Sequence, residues 1–300
     1  MSGAALPAAG SFGAWRLAIR LPTLPAAIAP VLVGCGAAIG AGVFSWGPAF
    51  AALVGALLLQ VGANLANDLF DFRKGSDTAE RLGPLRATQS GLLTERQVLA
   101  GAIVVFALAT LSGLYLAWVA GWPVVAAGLA SIAAALAYTG GPWPFGYHAL
   151  GDVFTFVFFG LVATAGTYFV QAGELSILAL MASVPMGCSV TAILVVNNLR
   201  DINTDAATGK NTLAVVLGDG PTRIWFGVLV AGALAGAVLT WPVGGGPAVV
   251  ATLAAVAALI SPARAVFGGV TGPALNVTLR QTARFHLAVG LLLAIGLATG

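Results

Sequence analysis

The chain has 300 residues, of which 59 % are hydrophobic and only 8 % charged, with a mean hydropathy of +0.98. Soluble proteins carry about 25 % charged residues, so this composition excludes an ordinary water-soluble fold and indicates a polytopic membrane protein. The net charge of +3 implies no nucleic-acid partner; it is the excess of Lys and Arg that short cytosolic loops carry beside anionic lipid.

Residues 1–15, rich in Ala, Gly and Pro, read as a flexible tail, and 16–300 as one transmembrane domain. A helix needs about 20 apolar residues to cross the hydrocarbon. Nine stretches serve: 22–42, 48–70, 97–119, 122–140, 151–171, 176–199, 222–241, 246–267 and 281–299, giving an all-α multi-pass protein. Alternating sides from a cytosolic N-terminus puts all 13 basic residues inside, and of the 10 acids only Glu174 outside. A miscounted span would throw some of those bases across the bilayer. Cys35 and Cys188 fall in spans and read as small apolar packing residues.

The first span opens with prolines at 22, 25 and 30, where a missing backbone donor costs least. Arg20 just before it either snorkels to lipid headgroups or binds an anion. The second span runs into NLANDLFDFRKGSD, which brings Asn64, Asn67, Asp68 and Asp71 within two helical turns. Asn64, Asp68 and Asp71 share a face, with Asn67 beside it. The hydrophilic segment 72–96 has more charge than a connector needs, and Gly75, Gly83 and Gly91 would let it fold over a cytosolic pocket. Thr94 to Gln97 reads as a capping box for the third span.

The connection YTGGPWPFGYHALGD, 138–152, has no Lys or Arg. Tyr138 sits there either as an interfacial belt residue or as a ring or hydroxyl facing a substrate. His148 reads as a hydrogen-bonded loop residue and Asp152 as a helix cap. The sixth span runs into NNLRDINTDAATGKNTLAVVLG, where Asn197, Asp201 and Asp205 recur every four residues on one face.

Two Asn/Asp clusters at cytosolic ends of apolar helices point to one site assembled between helices. Hard oxygen donors of this kind suit Mg²⁺ completed by substrate phosphates. A metal bridging to a diphosphate, with Arg and Lys neutralising the rest, promotes ionisation of an allylic diphosphate whose polyprenyl chain lies in an apolar tunnel.

At these residues the chain resembles the UbiA superfamily of intramembrane aromatic prenyltransferases, and within it the branch acting on 1,4-dihydroxy-2-naphthoate in menaquinone synthesis. The segments NLANDLFDFRKGSD, GPLRATQSG, YTGGPWPFGYHALGD and NNLRDINTDAATGKNTLAVVLG carry the resemblance. The family's first motif maps onto Asn67, Asp68, Asp71 and Asp77, and its second onto Asp201 and Asp205; the step from Asp71 to Asp77 is longer than elsewhere in the superfamily. The resemblance implies a nine-helix ring around a central cavity, with those residues holding Mg²⁺. It further implies that Lys74, Arg86 and Lys210 contact the diphosphate, joined on charge by Arg20, and that polyprenyl diphosphate and 1,4-dihydroxy-2-naphthoate are the substrates. Asp71, Asp201, Asp205 and Tyr138 are the expected catalytic residues, and the site is expected to open to the cytosolic side of the plasma membrane. Two other readings stand beside this one. They are a different aromatic acceptor, and a transporter or channel, which would place acids near the bilayer midplane.

Overall fold

A computed structural model describes residues 6–76 and 82–300, so Asp77 lies outside the described residues. Each expected span is a helix or a helix pair. The first is α1 (Phe12–Ile19) and α2 (Pro25–Gly40), bent by 49° at their junction. Next come α3 (Trp46–Arg73), α4 (Glu95–Ala120), α5 (Trp122–Ala137), α6 (Gly151–Ala172) and α7 (Ile177–Ala207). A short α8 (Leu213–Leu217) precedes α9 (Asp219–Val238), α10 (Pro247–Phe267) and α11 (Gly272–Thr299). Seven of these are long and apolar enough to cross a membrane; the bent pair makes an eighth, and α5, with 16 residues, is the short ninth element.

The stretch 1–15, expected as a flexible tail, includes the start of α1 at Phe12. The Ser11 side chain accepts from the Ala14 backbone N–H, which starts the helix at Phe12, and Ala14 and Ala18 are fully buried with Leu65, Leu69, Leu93 and Val98. Small Ala side chains let this short helix lie close on α3 and α4. Arg20 ends α1 with φ 56°, a left-handed conformation that side chains rarely adopt, and Pro22 and Pro25 prevent the helix from running straight on. The bend is tied to α3: the Asn64 amide donates to Ile19 O and Thr23 Oγ1, and the Gln60 amide to Thr23 Oγ1. Within α2, Pro30 offers no N–H to the carbonyl of Ala26. The buried His286 of α11 faces the Pro25 and Ala26 carbonyls there, with Nδ1 2.7 Å from Ser189 Oγ.

Two features suit the chain to lipid. Trp46, Trp118 and Trp122, all exposed, mark the ends of α3, α4 and α5 opposite the Asp clusters, as an interfacial aromatic belt does. Helices approach closely where small residues meet: a Cβ on Gly160 would lie 2.5 Å from Gly187 Cα, bringing α6 against α7. The main core lies among α2, α6, α7, α9, α10 and α11. Helices α2 to α7 leave a cavity of about 780 Å³, with the C-terminal ends of α3 and α7 at its polar end.

Candidate active site

The first half-site is the last turns of α3. At 3.6 residues per turn, Asn64, Asn67 and Asp71 form one stripe and Asp68 sits on its far edge. Asn64, Asn67 and Asp71 line the cavity, and Asp68 does not. Instead Asp68, 1 % exposed, accepts from the backbone N–H groups of Ala87 and Thr88 at 3.1 and 3.2 Å. Asp68, expected as a metal ligand, has both carboxylate oxygens on the loop that carries Arg86. That buried guanidinium lines the cavity and donates from Nη2 to Asp71 Oδ2 at 2.8 Å. The Tyr147 hydroxyl donates to Asp71 Oδ1 at 2.9 Å.

The second half-site is the end of α7, where Asn197, Asp201 and Asp205 all line the cavity, as their four-residue spacing requires. Asp201 is gripped by Arg200, which donates from Nε to Oδ1 at 2.8 Å and from Nη2 to Oδ2 at 2.5 Å. Arg200 is 2 % exposed and also donates to Asn197 Oδ1 and to Asn276 Oδ1 of α11. Asn276 in turn donates to Leu82 O, and a Cβ on Gly83 would lie 2.7 Å from Arg200 Nη2, so Gly83 is needed where that loop lies on the guanidinium. Lys210 Nζ lies 3.8 Å from Asp205 Oδ1 and lines the same cavity, as does Arg20.

The 138–150 connection ties the halves together. Thr139 donates to Asn67 Oδ1, and Ala149 donates to Asn211 O at 2.8 Å, beside Lys210. Ala149 holds φ 58°, a strained value for a residue with a Cβ, which the pairing of His148 with Asn211 maintains. Tyr147 is the residue that sequence reasoning missed. Its hydroxyl is 2.6 Å from Ser76 Oγ as well as bonded to Asp71, and the ammonium groups of Lys74 and Lys210 lie 4.8 and 5.5 Å from its ring centroid. Lys74 does not line the cavity itself. Partial burial draws its ammonium below the usual range, and Asp71 opposes that shift. His148 is a loop residue, stacked on Trp143 with Nδ1 2.9 Å from Pro144 O. Asp152 is not the cap it was expected to be: Leu150 holds that position, and Asp152 accepts from Trp225 Nε1 at 2.8 Å.

From this polar mouth a row of rings runs inward. Tyr138 meets Phe145 edge to face, Phe145 stacks on Phe154 at 3.8 Å, and Phe154 on Phe158 at 6.1 Å. All four line the cavity, with Phe159. In α6 the segment Phe156–Val162 is wound as a π-helix, and the adjacent Phe158 and Phe159 both face the cavity. Beyond them the wall is Ala, Leu, Val and Gly.

Among the described residues no three His, Cys, Asp or Glu gather into a ready-made metal cage. The acids instead stand in two groups on facing helix ends, and each has a base: Asp71 with Arg86, Asp201 with Arg200, Asp205 with Lys210. An all-oxygen set of this kind fits Mg²⁺ completed by a ligand's phosphate oxygens rather than by protein alone. Because the mouth is already balanced in charge, it favours a cation and an anion entering together over either one alone.

Residues 27–272 match the UbiA prenyltransferase family. The chain is 41 % identical over 97 % of its length to 1,4-dihydroxy-2-naphthoate octaprenyltransferase from Mycobacterium tuberculosis, covering 98 % of that protein. It shares its fold with a UbiA homolog from Aeropyrum pernix K1 in the apo state (TM-score 0.69, 16 % identity, 90 % of this chain and 96 % of that one). A UbiA homolog from Archaeoglobus fulgidus bound to DMAPP and Mg²⁺ is similar too (TM-score 0.64, 14 % identity, 93 % and 98 %). With 246 matched residues inside a helical bundle of the same fold, the chain belongs to the UbiA prenyltransferase family.

Proposed function

We propose that this membrane enzyme transfers a polyprenyl group from polyprenyl diphosphate to 1,4-dihydroxy-2-naphthoate, releasing diphosphate and CO₂ and giving demethylmenaquinol for menaquinone synthesis. The observation that carries the reading is the facing of Asp71 and Asp201/Asp205 across one cavity whose polar mouth passes directly into an aromatic and then an aliphatic interior. The likeness to the naphthoate enzyme of M. tuberculosis along nearly the whole chain supports the choice of acceptor.

Asn67, Asp71, Asp201 and Asp205 are the residues that would hold Mg²⁺, which when bound with the diphosphate draws off the charge that grows on the leaving group. Arg86, Lys210, Lys74 and Arg20 bind the remaining phosphate oxygens. As the C–O bond breaks, its electron pair leaves with diphosphate. The allylic cation is met by the faces of Tyr138, Phe145, Phe154 and Phe158, which stabilise positive charge and exclude water. The ring forms a C–C bond to the prenyl carbon and the carboxylate departs as CO₂. Aryl carboxylate and prenyl diphosphate thus give prenylated ring, CO₂ and diphosphate with no net proton released. The one-sided placement of the basic residues supports a cytosolic N-terminus and a site open to the cytosol. Cysteine labelling at position 174 from the outer face checks that orientation.

The test is to incubate purified protein with labelled polyprenyl diphosphate, Mg²⁺ and a panel of aromatic acids. Prenylated naphthoquinol and stoichiometric CO₂ are expected with 1,4-dihydroxy-2-naphthoate. Transfer to 4-hydroxybenzoate in preference to it would overturn the acceptor, and no transfer to any acid would overturn the activity.

A further inference from the structure

Tyr147 touches both halves of the polar mouth. Ionised Asp71 only accepts, so the Tyr147 hydroxyl donates to it and accepts from Ser76 in turn. One phenol thus fixes Asp71 Oδ1 while Arg86 holds Oδ2. The ring lies near two ammonium groups that come from different loops, Lys74 after α3 and Lys210 after α7. Two like charges converging on a single ring is an unfavourable arrangement unless the ring's negative face offsets it.

We propose that Tyr147 is a positioning residue whose ring face holds Lys74 and keeps Lys210 in a long 3.8 Å contact with Asp205 rather than a close ion pair, so that both lysines stand ready for a diphosphate. Asp71 and Asp205 are within reach of these lysines; Lys210 is 3.8 Å from Asp205 already. Without the ring, each ammonium collapses into a full ion pair, which an incoming anion must then break. A ring face holds an ammonium more weakly than a carboxylate does and releases it readily. The strained Ala149 and its bond to Asn211 set the ring's distance from Lys210.

The inference rests on the reading of the mouth as a diphosphate site, and calorimetry of inorganic pyrophosphate binding to detergent-purified protein, with Mg²⁺ present and no acceptor, separates the two. If wild type does not bind pyrophosphate, the diphosphate reading fails. If it binds, Tyr147→Met should weaken binding about tenfold, the amount two partly desolvated cation–π contacts support, and Tyr147→Phe should bind within about twofold of wild type. In turnover, Tyr147→Met should raise KM for polyprenyl diphosphate while leaving KM for the naphthoate unchanged. A trifluorinated Phe at the same place keeps the shape and drains the ring face; it should bind as weakly as Tyr147→Met, which keeps the test open should the Met variant not fold. Wild-type affinity in the Met and fluorinated variants would overturn the proposal, as would a Tyr147→Phe variant as weak as either, since the hydroxyl alone would then account for the effect.

Discussion

Asp71 receives its guanidinium from a residue 15 positions later, across a loop, whereas Asp201 receives it from the residue just before it on the same helix. Once α7 forms, Arg200 and Asp201 are already neighbours, and Asn197 and Asn276 lock the guanidinium in the core. The α3 half depends on contacts distant in sequence: Asp68 gathers the Ala87 and Thr88 amides, and the 138–150 connection brings Tyr147. One acid group is thus part of the scaffold, and the other is built by loops at the membrane surface. Loops adjust at low cost, so the α3 side is the one suited to closing on a substrate.

The largest expected effect tests this difference. Arg200→Leu leaves Asp201 buried without its partner and Asn276 without its donor, which should destabilise the protein by roughly 3–5 kcal/mol, read as thermal unfolding in detergent. Arg86→Leu should cost much less stability, because Asp71 keeps the Tyr147 hydroxyl and faces the cavity; its main effect should be a raised KM for the diphosphate. Equal destabilisation by the two would end the distinction between scaffold and loop-built halves.

Next are the acids themselves. Replacing Asp71 or Asp201 by Asn keeps size and removes a charge that matters most as the diphosphate leaves, so turnover should fall by at least ~10²-fold in each. Excess Mg²⁺ should recover part of it. The comparison sharpens in the unfolding temperature: Asp201→Asn strands the buried Arg200 and should lower it clearly, while Asp71→Asn should not. If both variants transfer prenyl groups at the wild-type rate under limiting Mg²⁺, the two-cluster site is wrong.

Asp68→Asn gives a smaller effect of a different kind. The Asn amide can accept from one of the two backbone N–H groups but presents its own NH₂ to the other, a loss of about 1–3 kcal/mol. Since Asp68 acts through the loop, KM for the diphosphate should rise with Arg86 misplaced, while the Mg²⁺ concentration giving half the maximal rate stays put. A shifted Mg²⁺ requirement would return Asp68 to the metal.

Much of this was legible in the chain. Apolar runs located every span, because lipid demands that length of any helix that crosses it. The Asn197, Asp201, Asp205 face was legible because a continuous helix converts spacing into direction. Asp68 was grouped with the cavity-lining residues for the same reason: spacing groups both edges of a stripe, and only the loop packed outside shows which edge faces in. Helix α1 escaped notice because it is short and its burial rests on Ala side chains, which look like linker composition. Arg200 had a signal, its place directly before Asp201. Asn276, 76 residues away from the guanidinium it holds, had none, and Tyr147 was hidden by a connection whose polar residues seemed few.

The smallest effect concerns Tyr138, which the sequence left as a ring, a hydroxyl or a belt residue. Its ring heads the row of Phe145, Phe154 and Phe158, and it lines the cavity with them. Its hydroxyl lies near Gly151, where a Cβ would be 3.4 Å from the oxygen. The cavity-lining ring is the part of Tyr138 that offers a π face to positive charge. Tyr138→Phe should therefore keep turnover within about threefold, since the face that offsets the cation is retained. Tyr138→Leu, which fills similar space without a π face, should lose about tenfold, in line with one partly desolvated cation–π contact. Single-turnover transfer at saturating polyprenyl diphosphate separates the two. A large loss in Tyr138→Phe would move the role from the ring to the hydroxyl and make it a contact to the acceptor. Equal rates in the Leu and Phe variants would leave Tyr138 a wall residue, with the cation facing Phe145 and Phe154 instead.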